Sequence, residues 1–457
     1  MQFKQRLIRI TVSFLPLFFL LANTIAQPVF QAKTPGNPLP SVYQLQWHKN
    51  EYYLFMHFGP NTFTDKEWGT GKEKSSEFNP SQLDTDQWCR IAKAAGAKGI
   101  IITAKHHDGF CLWPSKYSTH TVRESNFKRD VLAELSASCK KAGLLFGVYI
   151  SPWDRNHPDY GTDRYNEVFV NMMKEIFQQY GPIWELWWDG ANGEGPNGKK
   201  QVYNWQLFEQ TVRTITPKTV IFSDIGPDIR WLGNENGYAG ETNWNLLDTI
   251  GFKRGLGSPS NDTLLHGNYN GAHYIPAESD VSIRPGWFYH AEEDAKVKTA
   301  DDLLKIYVKT VGRGANLLLN VPPDRRGLIN ENDSASLIQF AEKRKIFDQP
   351  DLLKRAYLTL SGPDKNNLQK PYAWHYVLKD AVKMQGILLQ EDLRFGQKIS
   401  GLRITVSNQG EQVHQQSITT VGNKRIILFP APVDATEVSV VVISAKGMPV
   451  IKLIKGF

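Results

Sequence analysis

Between residues 52 and 319, short and nearly continuous apolar runs alternate with longer stretches whose apolar positions recur at helical spacing. The runs at 53–58, 99–104, 145–151, 184–189 and 219–223 are too short for helices, and this pattern predicts buried strands. The stretches at 84–95, 129–142, 164–180 and 204–214 carry one polar face and predict helices between them. So many β-α units in one segment predict a parallel sheet closed as a (β/α)8 TIM-like barrel. The rhythm weakens after Ile225, and the Gly- and Asn-rich stretch 226–274 reads as long functional loops. A helix at 301–311, a last strand at 316–320 and a closing helix at 334–345 resume it. Beyond 355, short alternating runs such as 401–407 and 437–444 are broken by Gly, Asn and Pro, the pattern of a β-sandwich. The expected division is a barrel at 27–350 and a sandwich at 351–457.

The first 26 residues stand apart. Lys4, Arg6 and Arg9 precede an apolar body from Ile10 to Leu21, and Thr24-Ile25-Ala26 offers small residues for cleavage. This is the form of an export signal, too short to cross a bilayer, so the mature chain is expected in the periplasm or outside the cell, with no membrane span. The net charge of +7 falls to +4 without those three basic residues and is spread along the chain, which argues against a nucleic-acid partner. Three cysteines (Cys89, Cys111, Cys139) lack metal-site spacing and read as buried thiols in preference to one disulfide and a free thiol. Thirteen Trp and seventeen Tyr are many for one core, and their flat faces suit stacking on sugar rings.

In barrels of this kind, chemistry sits where strands end. Side chains alternate across a strand, so Glu185, Trp187 and Asp189 share one face and Asp189 comes last, beside Gly190. A carboxylate at the rim with Trp one layer below suits attack on a sugar carbon. His57, His106, His107 and Tyr149 also fall at strand ends, so four successive strands bring imidazole, phenol and carboxylate to one rim. The pleat sends the adjacent His106 and His107 to opposite faces, which argues against a shared metal ion. No metal or cofactor is expected. Glycoside hydrolysis needs a second carboxyl group. Glu235, Glu241 and Glu278 in the loop-rich region are candidates, and chemistry alone does not choose among them.

The stretches His57-Phe-Gly59, Glu67-Trp68, Phe78-Asn-Pro80, Asp86-Gln-Trp88, Thr103 to Ser115, Lys128-Arg-Asp130, Phe146-Gly-Val-Tyr149 and Trp187-Trp-Asp-Gly190 stand in one order through the barrel. In them the sequence resembles the family 29 glycoside hydrolases, the α-L-fucosidases. The resemblance implies a fucosylated oligosaccharide as substrate, Asp189 as nucleophile, and His57, Glu67, Trp68, His106, His107, Tyr149 and Trp187 as the pocket that grips fucose. Gly233-Asn-Glu235 and the segment 276–290, which contains Trp287, look like the subgroup that cleaves α1,3- and α1,4-linked fucose. That assigns Glu235 as acid/base, with Glu278 as the alternative acid or otherwise a substrate-binding residue and Trp287 as a further one. The sandwich reads as a buttress for the barrel in preference to a carbohydrate-binding module.

Overall fold

The computed structural model describes residues 38–252, 254, 257–363 and 370–457. The segment 1–26, read above as an export signal, lies outside them. Eight parallel strands close into a barrel: β1 (Tyr52–Met56), β2 (Gly99–Lys105), β3 (Leu145–Ile150), β4 (Glu185–Trp187), β5 (Val220–Ser223), β6 (Ile229–Trp231), β7 (Ala277–Ser282) and β8 (Asn316–Asn320). Each pairs with the next and β8 pairs with β1. The pleat divides the strands as the sequence pattern requires. Tyr53, Phe55, Ile101, Tyr149, Trp187, Phe222 and Leu318 pack inside the barrel, while Leu54, Ile100, Val148, Leu186, Trp188 and Leu319 pack outward into the main core.

The first five strands are linked by helices that begin and end where the chain dictates. Asp84 and Asp130 cap Thr85–Ala94 and Val131–Ala142 by accepting from Gln87 N and Ala133 N. After β5 the plan changes. Only residues 224–228 join β5 to β6, which is feasible because strands of three or four residues rise about 10–13 Å. Asp228 replaces the missing helix as a brace, its carboxylate accepting from Ile221 N (2.7 Å) and Arg213 Nη2 (2.6 Å). Between β6 and β7 lies a long insertion with a short helix (Asn261–His266). The fully buried Arg230 secures it through the carbonyls of Leu264 (3.0 Å), Trp244 (3.1 Å) and Ile275.

Two expectations change here. Residues 229–231, inside the stretch read as loops, and 277–282, for which no strand was expected, are barrel strands. Their side chains include inward Trp231, Glu278, Asp280 and Ser282, so they lack the apolar run that marks a buried strand.

The C-terminal strands β9 (Tyr357–Ser361), β10 (Ala373–Glu391), β11 (Ile399–Asn408), β12 (Glu411–Ile418), β13 (Arg425–Ala445) and β14 (Ile451–Gly456) form one antiparallel sheet. Register breaks in the long β10 and β13 let it fold over as a sandwich around Ile387, Leu389, Ile404, Val406, Ile427 and Val440. Cys89, Cys111 and Cys139 are buried thiols, with Cys89 and Cys139 sulfurs 3.8 Å apart. Among the described residues, no helix is long and apolar enough to cross a membrane.

Candidate active site

A cavity of about 380 Å³ opens at the C-terminal rim of the barrel. Its walls include His57, Glu67, Trp68, His106, His107, Tyr149, Trp187, Asp189, Glu235 and Trp287. The rim thus gathers every residue named from the sequence except Glu278 and Glu241. A larger groove of about 730 Å³ lies on the flank, lined by Tyr203, Trp205 and Glu209, but its Glu209 is paired with Arg254 and it gathers no facing set of His, Tyr and carboxylate at strand ends.

Asp189 follows β4 directly. Its Oδ1 accepts from Ala191 N (2.7 Å), which fixes the carboxylate plane, and its Oδ2 accepts from Tyr149 Oη (2.9 Å). Burial, and then the Asp189 charge, push the Tyr149 phenol well up, so it stays a donor. His107 Nε2 lies 3.7 Å from the same Oδ2. With its side chain 24% exposed, Asp189 remains open to the cavity.

The three histidines are held neutral. Burial pushes His57 down to about 3, and Asn320 Oδ1 (2.9 Å) fixes its Nδ1 as the protonated nitrogen because that oxygen can only accept. His107 is lowered by burial despite Asp189. Ser151 Oγ spends its hydrogen on Trp153 O (3.0 Å), so the network assigns His107 Nδ1–H as donor to Ser151 Oγ (2.7 Å). The Nε2 atoms of His57 and His107 are therefore lone-pair acceptors, the polarity a sugar hydroxyl donor requires. Burial pushes His106 well below the ordinary range, with His107, His57 and Lys105 acting in the same direction.

The placement of His106 and His107 corrects the pleat argument. Both rings line the cavity, 4.1 Å apart between centroids, because β2 ends at Lys105 and the chain turns before alternation can separate them. Among the described residues no group of three or more His, Cys, Asp or Glu side chains is arranged to hold a metal ion.

Glu235 stands on the loop after β6, where Gly233 adopts φ +86 and passes so close to Asn261 O that a Cβ would lie 2.7 Å from it. Glu235 Oε2 accepts from Trp287 Nε1 (3.3 Å). Burial lifts its carboxyl above the ordinary range, the indole pulls it back, and the Asp189 and Glu67 charges lift it further. Glu278 is elsewhere. It is fully buried one layer below the cavity, accepting from Trp187 Nε1 (2.9 Å) and Tyr53 Oη, and burial, then the Glu278 charge, push the nearby Glu185 carboxyl well up. Glu278 thus supports the Trp187 floor from beneath. Glu241, the third carboxyl weighed, binds Arg313 and Arg425 away from the cavity.

Glu67 lines the wall, but its oxygens accept from Trp287 N (2.8 Å), Phe288 N (3.1 Å) and His290 Nε2 (2.7 Å). Trp68 stands at the mouth, 56% exposed, with its edge towards His107 and Trp153. The sequence reading did not name Asp224, Trp231 or Asp280 as lining residues. Asp280 accepts from Trp231 Nε1 (2.9 Å), and burial, then Glu235, push its carboxyl well up. Its signal was the two-residue step from Glu278, legible only once 277–282 is known to be a strand.

The sequence pattern described as alpha-L-fucosidase matches residues 38–343. Alpha-L-fucosidase 1 of Arabidopsis thaliana is 41% identical over 447 residues, covering 91% of this chain and 87% of its own. Human plasma alpha-L-fucosidase is 27% identical, covering 72% and 66%. Among solved structures, a glycoside hydrolase family 29 member from a rumen bacterium superposes with TM-score 0.85 at 37% identity, covering 93% of this chain and 78% of that one. The Ruminococcus gnavus family 29 fucosidase solved with fucose superposes with TM-score 0.81 at 26% identity, covering 93% and 96%.

Proposed function

This chain belongs to the α-L-fucosidase family of glycoside hydrolases, and we propose that it is an exported, retaining exo-enzyme releasing α1,3- and α1,4-linked L-fucose from branched glycans. The observation that carries this reading is the pair of carboxyls on one cavity: Asp189 fixed by Ala191 N and Tyr149, and Glu235 raised and tied to Trp287. The two act in different protonation states. Asp189 attacks the anomeric carbon as its carboxylate, and the bond to the departing oxygen breaks as Glu235 delivers its proton there. Glu235, now ionised, takes a proton from water, which attacks the fucosyl ester and frees Asp189. The sugar leaves with its original anomeric configuration after two inversions.

Neutral His57 and His107 present acceptors to sugar hydroxyls, and Trp187, stacked on Phe222 at 4.0 Å, gives the floor. Linkage preference is supported by the segments that carry the subgroup resemblance, 233–235 and 276–290, which meet at the Trp287–Glu235 contact. Export is supported by the basic and apolar pattern of 1–26.

The test is a substrate panel. Initial rates on Lewis-type trisaccharides should exceed those on an α1,2-linked trisaccharide and on an aryl fucoside at equal concentration. Preference for the aryl fucoside and the α1,2 link would instead support a relaxed fucosidase, and binding of fucose with no turnover would reduce the chain to a lectin.

A further inference from the structure

His290 lies outside the residues that line the cavity, yet its ring ties the segment that carries Trp287 to the loop that carries Glu67. Nδ1 is 2.8 Å from Asp65 Oδ1 and Nε2 is 2.7 Å from Glu67 Oε1. A neutral imidazole has one N–H and would turn a lone pair towards one of these carboxylates. Only the imidazolium donates to both. Glu67 in turn holds the amides of Trp287 and Phe288, and Trp287 donates its indole N–H to Glu235.

A second observation shows that the bridge is built into the chain. A Cβ on Gly286 would lie 2.6 Å from Glu67 Oε1 and 3.0 Å from His290 Cδ2, so the residue there must be glycine for the bridge to close. The far side of the Trp287 backbone is also held, with its carbonyl accepting from Asn320 Nδ2 (2.8 Å).

We propose that His290 is a positioning residue: as an imidazolium between Asp65 and Glu67 it locks the Trp287 backbone and so fixes Glu235 for proton donation. The inference rests on the reading of Glu235 as acid/base. Other charges face the bridge. Arg325 lies 3.8 Å from Asp65, Glu293 accepts from Gly286 N (3.2 Å), and Arg284, paired with Asp294 and Asp333, donates to His290 O. Burial lowers the His290 pKa, but the hydrogen bonds and charges of Asp65 and Glu67 outweigh it and the net shift is upward. The bridge is therefore complete below the ordinary imidazole pKa of 6.5 and is lost as pH rises through the raised value.

The test uses the full chain as wild type, His290→Gln and Gly286→Ala, with two substrates. An aryl fucoside with an acidic leaving group needs little help from the acid, whereas an alkyl fucoside depends on it. Both variants should lose roughly 10- to 100-fold in kcat/KM on the alkyl fucoside and no more than about 3-fold on the aryl one. Equal losses on the two substrates, or none, would overturn the proposal. A readout independent of turnover is the NMR titration of histidine-labelled protein, with the resonance missing from His290→Gln assigned to His290. A midpoint above 6.5 is expected, and one at or below it overturns the imidazolium. Wild-type protein that cleaves neither these fucosides nor a Lewis-type trisaccharide would refute the fucosidase reading, while the titration would still judge the bridge.

Discussion

At the residue scale the account turns on two carboxyls and their separate states. Asp189→Gly should lower kcat by roughly 10⁴- to 10⁶-fold, the range for loss of a member of a catalytic constellation. Azide should restore turnover in part by occupying the emptied space and yield a glycosyl azide. An unchanged rate in the Asp189→Gly enzyme would remove Asp189 from the chemistry. Glu235 must be protonated to act first, so kcat/KM falls as pH rises through its raised pKa. In Glu235→Gln, assayed on an activated aryl fucoside, that alkaline limb should disappear, and an identical profile would contradict the assignment. Burial of neutral histidines has a different consequence. His48 and His57 are held to about 3 when folded but titrate near 6.5 when unfolded. Their contribution is present above pH 6.5 and falls away as pH drops towards 3, up to a few kcal/mol for each group. Measured between pH 6.5 and 4, Tm of His48→Gln should fall less steeply than that of wild type. Equal slopes would show that His48 does not titrate on unfolding. Much of this level was legible in the sequence. The pleat alone put Asp189 above Trp187 on the inner face. It failed at His106 and His107 because alternation holds only within a strand, and β2 stops at Lys105.

At the element scale the hard part was β6 and β7. Five residues replace a helix before β6, and the inward positions of β7 are Glu278, Asp280 and Ser282, which the hydrophobic pattern does not mark as a strand. The polar face exists because β7 stands beneath and beside the site, where Trp187, Trp231 and Asn320 supply donors. Knowing the strand separates the two acid candidates. Glu278→Gln keeps an acceptor for the Trp187 indole and should retain most activity on an alkyl fucoside, whereas Glu235→Gln should lose roughly 10²- to 10⁴-fold. Glu278→Leu should instead destabilise the fold by about 1–3 kcal/mol for each stranded donor, measured by urea unfolding. A Glu278→Gln enzyme that fails on the alkyl fucoside as Glu235→Gln does would reverse the assignment.

At the scale of the molecule, the sandwich and the barrel insertion hold one another. Gln397 accepts from Asn245 N (2.8 Å) and donates to Asn243 O (2.9 Å), Thr420 Oγ1 accepts from Asn243 N (2.9 Å), and Arg425 donates to Glu241 O (2.8 Å). Leu388, Ile426 and Phe457 join the barrel's main core. A chain ending at residue 350 should therefore expose apolar surface and lose the setting of the insertion that follows Glu235. A soluble and fully active fragment would contradict this. The sandwich was visible as alternation, but its grip on 241–245 was not, because most of it runs through backbone groups of the insertion that any sequence supplies. The central claim, double displacement through Asp189, has a direct test: proton NMR of the first fucose released from an α-fucoside, recorded before mutarotation. The α-anomer should appear first and the β-anomer grow in later; β-fucose as the first product would rule out double displacement.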